Sequence, residues 1–192
     1  MVPKAEVAHW FGASVALLLG LILLAEVIVG PEVFGTRRWR AYLWPFVALV
    51  GGMFLWVVAI FSTFSTMHLV AHSVWAESAM IAGAVQLAVV RGKLSSSRWW
   101  LVTAAALFFS GVTFLVHEQN TWLFSRAAFL HHTIGWSLIV AALFPLGAAV
   151  RPGRRVWSTG FALTFVVLAV MLYSDRDSAP IFGHFEGVVV RR

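Results

Sequence analysis

The chain predicts an all-α fold: a polytopic membrane protein built as a bundle of six transmembrane helices. Three observations predict it. Of 192 residues, 60% are hydrophobic and only 11% are charged, whereas soluble domains carry about 25% charged residues. Six apolar runs each approach the roughly 20 residues that a helix needs to cross about 30 Å of hydrocarbon. The basic residues are gathered in short clusters between those runs. A net charge of +6 and a pI near 11.1 therefore reflect loop charges, not a nucleic-acid surface. The composition excludes a soluble globular domain and a disordered chain. With no cysteine, disulfides, thiolate metal sites and Fe–S clusters are excluded as well.

The spans run over about 9–30, 42–63, 67–90, 99–117, 128–150 and 156–173. Backbone groups in lipid must be paired within their own segment, so uninterrupted apolar runs are helices. Strands of a barrel would alternate polar and apolar over about 10 residues, and no stretch here does so. The first run is expected to be a span and not a cleaved leader. Lys4 and Glu6 cancel in its flank, and no small-x-small site precedes Pro31. Three arginines, Arg37, Arg38 and Arg40, separate it from the second run, which has Trp44 near its start. The gap between the second and third runs is so short that they should form a tight hairpin. Gly51, Gly52, Ala79, Gly83 and the run Ala104 to Ala106 suit close helix contacts within one bundle. The fifth and sixth runs flank a third basic loop. Residues 174–192 are polar, too short to cross again, and expected on the outer surface. No repeat, linker or second domain is visible, so 1–192 reads as one transmembrane domain.

Orientation follows from the basic residues. Arg37, Arg38, Arg40, Arg91, Lys93, Arg98, Arg151, Arg154 and Arg155 make nine of the fourteen, and all lie in loops one, three and five. Those loops are expected in the cytoplasm, with both termini extracytoplasmic. Trp39, Trp44, Trp99, Trp100 and Trp157 fall near the inner boundary, and Trp10 and Trp122 near the outer one.

On that topology all seven histidines fall at the extracytoplasmic end. His9 opens the first helix, His68 and His72 begin the third, His117 closes the fourth, and His131 with His132 begins the fifth. His184 lies in the tail. The spacing of His68 and His72 puts both on one helix face, one turn apart. Imidazole suits Zn, Cu, Fe and Ni, and polar groups within membrane helices are usually functional or paired. The expected metal ligands are thus His68, His72, His117, His131, His132 and His9, with at least three converging. Adjacent His131 and His132 are about 100° apart on a helix, so one faces inward. His132 is the expected one, because His131 keeps step with the exposed Arg126–Ala127 end. Glu118 stands as ligand, general base or orienting partner of an imidazole. Met67 beside them would favour copper if it ligates.

Two further carboxyls lie in the spans. Glu77 is in the middle of the third helix, on the face opposite His68. Its expected partners are Gln86, Ser110, Thr113 or an indole N–H, and a proton-relay role and a structural role both stay open. Glu26, near the inner end of the first helix, is expected to pair with a cytoplasmic arginine.

Three stretches resemble the transmembrane protein forty-five family, a polytopic group of unknown biochemical function. They are AHWFGASVALLLGLILL (8–24), AHSVWAESAMIAGAVQLA (71–88) and FLVHEQNTWLFSRAAFLHHTIGWSLIVAAL (114–143). His9, His72, His117 and the pair His131–His132 fall on that family's histidine positions. The resemblance covers about two thirds of the chain. It implies a compact helical membrane fold with a histidine cluster and supplies no reaction. The family commonly has a second histidine two residues after the one closing its fourth helix. Gln119 stands there in this chain, which leaves the ion number and ligand set open.

Four functions fit these residues. The first is a transition-metal protein, for copper or zinc, in metal handling at the outer face. The second is a membrane metalloenzyme acting on a lipid or quinone, with Glu118 and Asp175 available to complete a two-ion site. The third is a one-sided haem b electron-transfer protein. The fourth is an accessory subunit of a larger membrane complex. The lipid bilayer and a metal ion are the expected partners, with a homo-oligomer or larger assembly open and nucleic acid excluded.

Overall fold

The computed structural model describes residues 4–30, 33, 41–61, 66–116 and 126–174, with side chains left out at 4–8, 61, 67, 68 and 126–128. Six long helices account for nearly all of these residues. They are α1 (Lys4–Val29), α2 (Leu43–Phe61), α3 (Thr66–Val90), α4 (Trp100–Val116), α5 (Arg126–Val150) and α6 (Arg155–Tyr173). A short 3-10 turn, Ser97–Trp99, leads into α4, and the Ser96 side chain caps it. Each helix is long and apolar enough to cross a membrane, and there is no strand among the described residues. The all-α six-helix bundle is therefore observed, and helix ends differ from the expected runs by a few residues at most.

Every helix packs against its neighbours in the chain, and α1 also packs against α6. The six backbones thus close into a ring, and across it Phe161 of α6 reaches Trp44 of α2 and Trp100 of α4 through side chains. Three antiparallel pairs are the closest: α1 with α6, α2 with α3, and α4 with α5. A glycine lets the backbones approach in each. A Cβ on Gly20 would lie 3.0 Å from the Val166 amide of α6, and one on Gly52 would lie 2.7 Å from the Ala76 carbonyl of α3. In α4, a Cβ on Gly111 would meet the Gly135 carbonyl at 2.6 Å. Without a solvent-driven force between helices in lipid, such close contact supplies the attraction. Of the other expected small-residue contacts, Gly83 packs against Pro45 and Ala48, but Gly51 has nothing within 4 Å and faces away.

Alternate helices run in the same direction. The starts of α1, α3 and α5 gather at one end with His9, His68, His72, His131 and His132. The starts of α2, α4 and α6 gather at the other, with Arg91, Lys93, Arg98, Arg151, Arg154 and Arg155. Two apolar clusters fill the ring between them. Leu130, Ile134 and Leu138 pack with Phe114 and Leu168 in the histidine half. Leu19, Leu23, Phe161 and Ala162 pack with Trp44 and Trp100 in the basic half. Large apolar side chains such as Leu18, Met53, Ile81, Phe109 and Trp136 cover the outside, as a lipid-facing surface requires.

Candidate metal centre at the histidine end

Register decides which side chains face into the ring. Fourteen residues make just under four helical turns, so residues so spaced share a face. His9 is so spaced from Leu23, His72 from Gln86, and His131 from Pro145. The second member of each pair lines a cavity inside the basic end of the ring. Their histidines therefore lie on the inward stripes of α1, α3 and α5, about 21 Å away along the axis. All three are half-buried, and the Nδ1 atoms of His9 and His72 are buried. Each sits five or six residues from the start of its helix, so the three share a depth.

Aromatic rings connect two of them. The His72 ring lies 4.8 Å from the Trp75 ring between centroids, and Trp75 stacks on Phe114 of α4 at 3.9 Å. Phe114 in turn lies 5.6 Å from His131 of α5. An aromatic bridge thus spans three helices from one imidazole to the other. On the opposite wall, Phe11 packs on Phe54 at 4.6 Å, and the Ser14 hydroxyl lies 2.7 Å from the Tyr173 hydroxyl. These contacts tie α1 to α2 and α6 just below His9.

Two expectations are corrected. His132 is exposed and His131 is the inward member of the pair. The stripe of Leu130, Ile134 and Leu138, which buries α5, carries His131 and leaves His132 outside. Among the described residues Glu77 has no buried partner of the kind expected. It is exposed and sits nine residues before Gln86, on the opposite side of α3. Gln86 is instead 3% exposed, with its amide donating to the Thr103 hydroxyl at 3.4 Å. Thr113 donates to the Phe109 carbonyl of its own helix.

The His68 side chain, His117, Glu118, His184 and Asp175 lie outside the described residues, as do Arg37, Arg38 and Arg40. Among the described residues no group of three His, Asp or Glu side chains stands close enough to hold a metal ion. Of the expected ligands, the structure brings His9, His72 and His131 to the inner face of one end and turns His132 outward.

Sequence reasoning missed the cavity at the basic end. Its walls come from six helices, one or a few residues from each, so no local motif marks it. The readable signal is the pair of polar residues, Glu26 and Gln86, inside otherwise apolar spans near that end.

Fold and site together define a multi-pass α-helical membrane protein with inward imidazoles at one end of a closed ring. No family model, no curated protein and no solved structure matches the chain.

Proposed function

We propose that this protein binds a transition metal, copper or zinc, through inward histidines at the extracytoplasmic end of the ring and serves in metal handling there. The observation that carries the reading is the shared depth and inward register of His9, His72 and His131 on alternate helices. Their chemistry fits: neutral imidazole is a borderline donor suited to both metals, and the chain offers no competing thiolate. His68, one turn before His72, and His117, which follows Val116 in the sequence, belong to the same end by sequence and would supply further donors. Structural sites usually close with four donors, while three leave one position for cargo or substrate. The resemblance to the transmembrane protein forty-five family supports the histidine positions and supplies no reaction.

The test is metal analysis of the full chain purified in detergent, with an absorption spectrum of the same sample. Stoichiometric copper or zinc, lost on His72→Ala and on His131→Ala, is the expected result. A Soret band would replace this reading with haem. Protein without saturable metal uptake, or uptake unchanged by both substitutions, would end it.

A further inference from the structure

The basic end of the ring encloses a cavity of about 340 Å³. It is lined by members of the apolar cluster of the basic half, Leu23 and Phe161 with Trp44 and Trp100, and among the described residues no histidine contributes to it. Every helix contributes to its lining: Glu26 from α1, Trp44 from α2, Gln86 from α3, Trp100 from α4, Phe144 from α5 and Phe161 from α6. Its size falls in the range of small-molecule sites, about 300–1,000 Å³.

The chemistry of the lining is uneven in a definite way. Phe161 stands edge-on to both indoles, 5.6 Å from Trp44 at 76° and 5.5 Å from Trp100 at 81°. These three rings build one aromatic wall. Glu26, half-buried one turn before the end of α1, is the acidic group in the lining. Gln86 directs one N–H of its amide to Thr103, and its oxygen is an acceptor. Arg154 and Arg155 also line the cavity, but both are exposed at its mouth, where water and salt screen their charge. The enclosed part thus presents a carboxylate, an amide oxygen and aromatic rings. Aromatic faces attract cations, and quaternary ammonium groups above all, most strongly where water is excluded. A carboxylate within a span is costly without a counter-charge.

We propose that this cavity is a binding site for a small organic cation, an ammonium bearing alkyl or aryl groups, with Glu26 as counter-charge and Trp44, Trp100 and Phe161 as the enclosing aromatic wall. The site opens toward the basic loops, so the cation enters from that side of the membrane. Its occupation is independent of the histidines.

Calorimetric titration of the full chain in lipid nanodiscs tests this, with phenyltrimethylammonium as the probe and benzenesulfonate as its oppositely charged counterpart. The wild type should bind the cation saturably and show no saturable heat with the sulfonate. Glu26→Gln should weaken cation binding at least about tenfold, and Glu26→Asp should retain most of it. Trp100→Leu should weaken it more than Trp100→Phe, which keeps a ring; this comparison stands even if Glu26→Gln fails to fold. His72→Ala should bind as the wild type does, so failure here is separable from failure of the metal reading. Tighter binding of the sulfonate, no saturable cation binding by the wild type, or equal cation binding by wild type and a folded Glu26→Gln would each overturn the proposal.

Discussion

Trp75 of α3 lies flat on Phe114 of α4, with ring centroids 3.9 Å apart and planes within 12°. This stack sits between His72 and His131 in a chain of ring contacts. It joins two helices that otherwise touch more lightly than the glycine-packed pairs beside them. Stacked aromatic pairs contribute about 0.5–1.5 kcal/mol beyond their buried area. A double-mutant cycle with Trp75→Leu and Phe114→Leu, read by unfolding in detergent, should give a coupling in that range. Additive effects would mean that the stack does not hold α3 to α4.

His131 and His132 offer a direct test of register. Because His131 faces inward and His132 is exposed, His131→Ala should weaken metal retention by at least about tenfold, the lower end of what even supporting residues cost at metal sites. His132→Ala should leave it unchanged. Competitive titration against a chelator of known affinity measures both. The reverse order would put the wrong face of α5 toward the site.

Glu77 points away from the ring at mid-span, flanked one turn on by exposed Ile81. With no buried partner to strand, Glu77→Leu should change stability by no more than about 0.5 kcal/mol, or raise it, as for substitutions away from packed features. Unfolding in mixed micelles reads this out. A loss above about 1 kcal/mol would show that the carboxyl makes a bond the described residues do not contain.

The glycine contacts predict a sharp contrast between a packed glycine of α4 and an open one of α2. Gly111→Val forces side-chain atoms into the Gly135 carbonyl and Ile139, and overpacking of that kind costs typically about 1–3 kcal/mol. Gly51→Ala places its Cβ in open space and should be neutral or slightly stabilising, since alanine is the better helix former. Thermal unfolding of the two variants beside the wild type decides it.

Much of the fold is legible in the sequence, because hydrocarbon thickness fixes how long an apolar helix must be. The six runs and the close packing at Gly52 and Gly83 follow from that and from small-residue spacing. Ring closure does not, since the contact of α1 with α6 joins the two ends of the described chain and leaves no local trace. The site is half legible. That the histidines gather at one end follows from counting spans, but the choice between His131 and His132 depends on which stripe of α5 is buried. The polar start of the fifth run in the sequence points to one answer, and the buried Leu130, Ile134 and Leu138 stripe supplies the other. Glu77 misleads for a similar reason. Depth along the helix is readable from sequence, whereas direction around it needs the neighbours. Glu26, Gln86 and the tryptophans of the cavity carry no motif because each comes from a different helix.

The absence of cysteine makes the membrane orientation directly measurable. Single-cysteine variants at Lys93 and Arg154, in the basic loops, should resist a membrane-impermeant maleimide in intact cells. One at Ser174, just past α6, should react. The opposite pattern would place the histidines on the cytoplasmic side.

X-ray absorption at the metal edge of the purified, loaded full chain bears most directly on the central claim, that inward imidazoles hold a transition metal. The account predicts at least three nitrogen neighbours at about 2.0–2.1 Å, with the outer-shell scattering of imidazole rings and its reduction in His72→Ala and His131→Ala. A bound metal surrounded only by oxygen donors, or a spectrum unchanged in both variants, would contradict it.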